Sequence, residues 1–120
     1  MRPRALRVLV VDDDEAVCSA LGAIVSSEQH TVAVSLSARE ALALANQLEP
    51  DVAIVDVNMP GIGGADLSQL LRARFPALRI ILHTGQDPHA LGDKAKHAHL
   101  VIQKGSVLAF LAQFRAFVAE

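Results

Sequence analysis

Short apolar runs and helix-periodic stretches alternate strictly along this chain, and that alternation limits its fold more than any other feature. The apolar runs are Leu6–Val11, Thr31–Leu36, Val52–Asp56, Leu78–His83 and Leu100–Gln103. Each is short, rich in β-branched or branched-chain residues, and suited to a strand buried on both faces. Between them lie helical patterns. From about Asp14 to Ser27, Val17, Leu21, Ile24 and Val25 recur at three and four residues, and Asp14 and Glu15 suit the helix dipole. Ser37 and Glu40 make a capping box for a second helix that runs to about Leu48, with Ala41, Leu42, Ala45 and Leu48 inward, and Glu49-Pro50 stops it. A third helix is predicted over Ala65–Arg74, with Leu67, Leu70 and Leu71 inward. Asp87-Pro88 starts a fourth, with Gly92 interrupting a face made only of Leu91 and alanines, ending by about His97. Ser106 caps a fifth, which buries Val107, Phe110, Leu111, Phe114 and Val118.

Strands and helices in alternation, with connections this short, predict a parallel sheet covered on both faces. Right-handed crossovers restrict it to a doubly wound α/β fold, flavodoxin-like (βα)5, with strand order 2-1-3-4-5. The 120 residues read as one domain spanning 1–120. No apolar run is long enough to span a bilayer, and the basic residues before Leu6 do not make a leader, because the six-residue run drops straight into three aspartates. The single Cys18 permits no internal disulfide, which points to a reducing cytoplasm. A net charge of −2 without a basic block, and four Phe as the only aromatics, leave nothing to hold nucleic acid.

The predicted order sets the ends of the first and third strands side by side. Asp12 and Asp13 therefore meet Asp56 in one crevice, and the fourth and fifth strands bring Thr84 and Lys104 to the same edge. Crowded carboxylates repel unless a cation intervenes, and Mg²⁺ suits such an oxygen site because it uses one or two carboxylates and then accepts phosphate oxygen. Phosphoryl transfer needs an in-line nucleophile and positive charge on the phosphoryl oxygens. Asp56 can be that nucleophile, giving an aspartyl phosphate, with Lys104 as the cation and Thr84 as a hydroxyl donor.

With VVDDD, VDVNMPG, HTG and QKG in this order, each closing an apolar strand, the chain resembles the receiver domains of two-component response regulators over essentially its whole length. The resemblance implies that Asp56 is the phosphoacceptor. It implies Mg²⁺ held by Asp13, Asp56 and the backbone carbonyl of Asn58, with Asp12 acting through a metal-bound water. The phosphoryl group would come from a histidine kinase, a phosphotransfer protein or a small phosphodonor. Such a domain is a self-phosphorylating and self-dephosphorylating switch of protein–protein contacts rather than a turnover enzyme. Asn58, Gly85 and Gln86 would tune loss of the phosphoryl group, here towards minutes rather than hours.

The chain departs from the family at the output side. Val101 stands at the switch position where many receivers carry an aromatic, so no ring rotation can be the readout. Gly105 replaces the usual proline after the lysine, and KHAHL lacks the usual small-residue turn. These departures favour, as an alternative, a receiver-fold interaction module that acts independently of phosphorylation. A third reading, a metal-dependent phosphatase using Asp12 and Asp14, ranks last. The five histidines lack metal-ligand spacing on one face. The kinase, the output partner or effector domain, and any homodimer through the helix 4–strand 5–helix 5 face remain open in the sequence.

Overall fold

A computed structural model of the chain describes residues 5–120. Residues 1–4, whose two arginines entered the leader argument, lie outside the described residues. Five strands, β1 (Arg7–Val11), β2 (Thr31–Ser35), β3 (Val52–Asp56), β4 (Arg79–Thr84) and β5 (Leu100–Gln103), form one parallel sheet in the order β2-β1-β3-β4-β5. The helices are α1 (Glu15–Ser27), α2 (Ala38–Leu48), α3 (Gly64–Arg74) and α4 (Val107–Val118).

The period of two in the strands sorts their side chains onto two faces. Leu9, Val11, Ala53, Val55, Ile80 and Leu82 face α2 and α3, where they pack on Ala41, Ala45, Leu67 and Leu71. Val8, Val10, Val52, Ile54, Ile81 and Ile102 face α1 and α4, where they meet Leu21, Val25, Phe110 and Phe114. The β3 run is buried at all five positions, so it carries no alternation.

Three predicted helix faces need correction. In α3 the inward positions are Gly64, Leu67, Ser68 and Leu71, while Leu70 is 46% exposed. Ser68 is tolerated inside because its hydroxyl donates to the Gly64 carbonyl at 2.7 Å. In α4 the third buried ring is Phe117, and Val107 lies exposed in the first turn. In α1 Cys18 is fully buried, while Val17 and Ile24 pack at the margin.

The larger correction concerns the fourth helix. Residues 88–95 form two 3-10 turns, Pro88–Ala90 and Gly92–Ala95, and no α-helix. Asp87 does cap the first turn, accepting from the His89 N–H at 3.0 Å. Gly92 then takes φ +54, a left-handed conformation that ends the run before a full α-helical turn closes. Leu91 is the one buried residue of the segment, with Ala95 packed at the margin of the same core.

The amino edge of the sheet is fastened by side chains. The residue just before β2, β3 and β5 accepts a backbone N–H from the neighbouring strand or from the residue that leads into it. His30 Nδ1 takes Leu6 at 2.9 Å, Asp51 Oδ2 takes Arg7 at 2.9 Å and His99 Nδ1 takes Ile80 at 2.9 Å. Arg79 secures the end of α4, donating to the Phe117 carbonyl at 2.6 Å with its guanidinium 3.8 Å from the Phe117 ring centroid.

Candidate functional site

Each predicted site residue except Val101 lies at or just beyond the carboxyl edge of the sheet, where an open α/β fold places its ligands. Asp12 and Asp13 follow β1, Asp56 ends β3, Thr84 ends β4, and Lys104 follows β5. Parallel pairing in register brings these ends together: Val11 stands beside Val55, Asp56 beside His83 and Thr84 beside Gln103.

One carboxylate oxygen from each of Asp12, Asp13 and Asp56 lies within 4.8 Å of the other two. Asp12 and Asp56 are buried, and Asp13 is open to solvent. The Lys104 ammonium reaches both buried acids, 3.1 Å from Asp12 Oδ2 and 3.4 Å from Asp56 Oδ1. Burial and the Asp12 charge push the Asp56 carboxyl up from its ordinary value, against the pull of Lys104 and the Asn58 backbone. Burial pulls the Lys104 ammonium down, but its contacts with Asp12 and Asp56 outweigh this, and its pKa is raised.

This donor set fits a hard divalent cation. Three oxygens converge, and Asp12 carries a buried oxygen, Oδ2, that has no hydrogen-bond partner and is met by the Lys104 ammonium. The other Asp12 oxygen accepts the Asp14 N–H at 2.9 Å. Asp14 itself is committed to α1, accepting from the N–H groups of Ala16 at 2.9 Å and Val17 at 3.4 Å.

The rim of the site comes from the β3–α3 and post-β4 loops. The Asn58 side-chain amide donates to Gln86 at 3.4 Å across the mouth. Gln86 also donates its backbone N–H to the Thr84 hydroxyl oxygen at 3.0 Å, and Thr84 is fully buried. Lys104 is tied to the same place through its backbone, donating to the Thr84 carbonyl at 2.6 Å. At Gly85 and Gly105 a side chain would meet only open space. Val101 lies apart from the acids, half-buried in β5 against the α2–α3 face of the core.

Two neighbours were not expected. Cys18 lies under the site, its thiol within hydrogen-bond reach of the Asp12 carbonyl at 3.2 Å and the Ser35 carbonyl at 3.5 Å. Burial and the Asp12 charge push that thiol's pKa up, so it stays protonated. His83 alternates to the α1–α4 side, edge-on to Phe110, and burial with Lys104 nearby lowers its pKa to about 4. The signal for both was their position: Cys18 falls four residues after the helix cap, and His83 is one residue out of phase with Thr84.

The sequence matches known proteins along most of its length. Residues 8–107 match the family described as the response regulator receiver domain. Response regulator GacA of Pseudomonas viridiflava is 32% identical over 112 residues, which cover 90% of this chain and 52% of that protein. Response regulator MprA of Mycolicibacterium vanbaalenii is 37% identical over 82 residues, 68% of this chain and 36% of that one. The match thus spans about half or less of these curated relatives. Among solved structures, chemotaxis protein CheY4 of Vibrio cholerae superimposes with a TM-score of 0.85 at 24% identity, covering 94% of this chain and 98% of that chain. TrrA of Thermotoga maritima, solved in complex with Mg(2+)-BeF, gives a TM-score of 0.83 at 24% identity, covering 93% and 97%. At that identity the two structures bear on the fold alone, and they agree with the sheet order found here. No helix among the described residues is long and apolar enough to cross a membrane. Fold, strand-end acids and family match converge: the chain belongs to the response regulator receiver-domain family of two-component signalling.

Proposed function

We propose that Asp56 accepts a phosphoryl group and that its phosphorylation changes which proteins this domain binds. The observation that carries the reading is the convergence of Asp12, Asp13, Asp56 and Lys104 from three different strand ends. In the transfer, an Asp56 carboxylate oxygen forms a bond to phosphorus in line with the departing group. The phosphorus bond to a donor histidine nitrogen, or to the acyl oxygen of a small phosphodonor, breaks. Lys104 then shifts its charge from Asp56 towards the phosphoryl oxygens. Thr84 supplies a hydroxyl at the same edge, already oriented by the Gln86 N–H. Asp12, Asp13 and Asp56, with the Asn58 carbonyl, would hold Mg²⁺, whose charge supplies neutralisation of the carboxylates and of phosphate oxygen. On this reading a histidine kinase or phosphotransfer protein is the protein donor, and a small phosphodonor can stand in for it.

The phosphoryl group is lost quickly on this reading. Gly85 leaves the mouth open, and Asn58 and Gln86 present polar groups there that can orient water. A phosphorylated form lasting hours would contradict it.

Intact-protein mass spectrometry after incubation with Mg²⁺ and acetyl phosphate tests the proposal, on wild type and Asp56→Asn. One phosphoryl adduct on wild type alone supports it. No adduct, with beryllofluoride also failing to bind, favours the phosphate-independent interaction module. The 3-10 turns at 88–95 and Val101 in β5 support that second reading, because they remove the helix and the ring a phosphate-driven switch would move. The phosphatase reading loses ground to the capping role of Asp14, whose carboxylate is occupied at the start of α1. Partners, including a second copy across the turns, β5 and α4, stay within this proposal.

A further inference from the structure

We propose that His99 is a proton-operated latch that fastens the start of edge strand β5 to β4, and that mild acid opens it. The geometry is a closed pair of hydrogen bonds. Ile80 donates its backbone N–H to His99 Nδ1 at 2.9 Å, and His99 donates its own backbone N–H to the Ile80 carbonyl at 2.8 Å. An imidazole accepts through Nδ1 only when that nitrogen is unprotonated; imidazolium carries a hydrogen on both nitrogens. Protonation therefore does not weaken the first bond but replaces it with two N–H groups facing each other. The Ile80 N–H lies at the amino edge of the sheet on a residue that is itself fully buried, so its loss of an acceptor is costly.

The surroundings favour opening over accommodation. The charged groups that bear on the ring are Arg72 from α3 and Arg79 from β4, and both, after burial, hold its pKa below the ordinary histidine value. Arg79 is itself engaged by the Phe117 carbonyl at 2.6 Å and by Glu120 at 3.5 Å. Arg72 has its Nε buried without a hydrogen-bond partner. A protonated His99 thus meets two cations. His30 clips Leu6 through its ring as well, but the Leu6 carbonyl takes the Thr31 N–H at 2.9 Å, so His30 closes no such pair with one residue. His99 is exposed, so protons reach it without unfolding.

The sign follows from linkage. The folded chain favours neutral His99, so the latch contributes in full above the unfolded histidine pKa, about 6.5, and is lost as pH falls below it. What it releases is the start of the strand that leads into Lys104, together with a connection held in the core by Leu91. The inference stands whether or not Asp56 is phosphorylated.

Hydrogen exchange of the Ile80 amide, expressed as protection relative to an unstructured peptide at the same pH, reads the latch directly. Wild type is expected to lose protection at Ile80 by about tenfold between pH 7.5 and 5, the scale of one net hydrogen bond. His99→Asn places an oxygen where Nδ1 was and does not titrate, so its loss should stay under about twofold. Equal losses in both chains, or none in wild type, overturn the proposal. If the variant does not fold, NMR titration of wild type decides. The His99 ring and the Ile80 amide must shift with one midpoint below about 6.5. A ring that titrates at or above that value with a still Ile80 amide overturns the latch.

Discussion

Replacing Gly64 by alanine is the sharpest small perturbation available to this fold. Gly64 opens α3 directly beneath the end of β3. A Cβ built there lies 2.0 Å from the Asp56 carbonyl oxygen, 2.8 Å from its carbon and 2.9 Å from Val57 Cα. All three are backbone atoms, so no side chain can swing away, and relief needs a shift of more than 1 Å in the peptide that carries Asp56. The Gly64 N–H bond to the Val57 carbonyl at 2.9 Å must break or stretch as well. Overpacking of this kind costs roughly 3 kcal/mol. The better helix propensity of alanine returns at most about 1 kcal/mol. The net loss of ~2 kcal/mol, with a urea slope of about 1.5 kcal/mol/M, moves the unfolding midpoint down by about 1 to 2 M. Gly105→Ala, with open space around its Cβ, serves as the neutral control. A Gly64→Ala chain within about 0.5 kcal/mol of wild type would refute the reasoning, since ordinary surface changes fall in that range.

The other predictions concern the acidic cluster. Burial and Asp12 raise the Asp56 pKa, so the folded chain binds that proton more tightly than the unfolded one. The group therefore costs stability once pH exceeds the unfolded value, and the cost grows until pH passes the folded value. Asp56→Asn should accordingly unfold at higher urea than wild type at pH 7 in metal-free buffer, with the gap closing towards pH 4. A lower midpoint at pH 7 would count against the repulsion argument. Mg²⁺ should stabilise wild type by about 2.7 kcal/mol at a hundredfold excess over its dissociation constant. The same titration on Asp13→Asn should give less than half that gain, and an equal gain would remove Asp13 from the metal site.

The sheet and most of the site were legible because they rest on local signals that agree. Strand runs, caps at Ser37, Asp87 and Ser106, and alternation fixed the topology, and topology alone brought Asp12, Asp13, Asp56, Thr84 and Lys104 to one edge. The failures share a cause. Leu70 and Val107 fit a helical period but lie on arcs that no other layer covers, and hydrophobicity does not report what stands opposite. Ser68 and Phe117 took the covered arcs instead. The 88–95 segment had a good cap and a proline, yet Gly92 and a face of one leucine could not hold a helix, since short helices depend on packing more than on propensity. The histidine clips at His30 and His99 were invisible because their partners are backbone amides, which every residue carries.

The placement of the site at four separate strand ends has a consequence for the life of the chain in a cell. Asp12 is made before Lys104, and no fragment lacking β5 and the lysine that follows it assembles the charge pair that spans Asp12 and Asp56. Unpaired, those buried acids repel each other. Only a chain whose sheet has closed through β5 brings Lys104 to both buried acids, so the charge balance of the cluster doubles as a readout of finished folding.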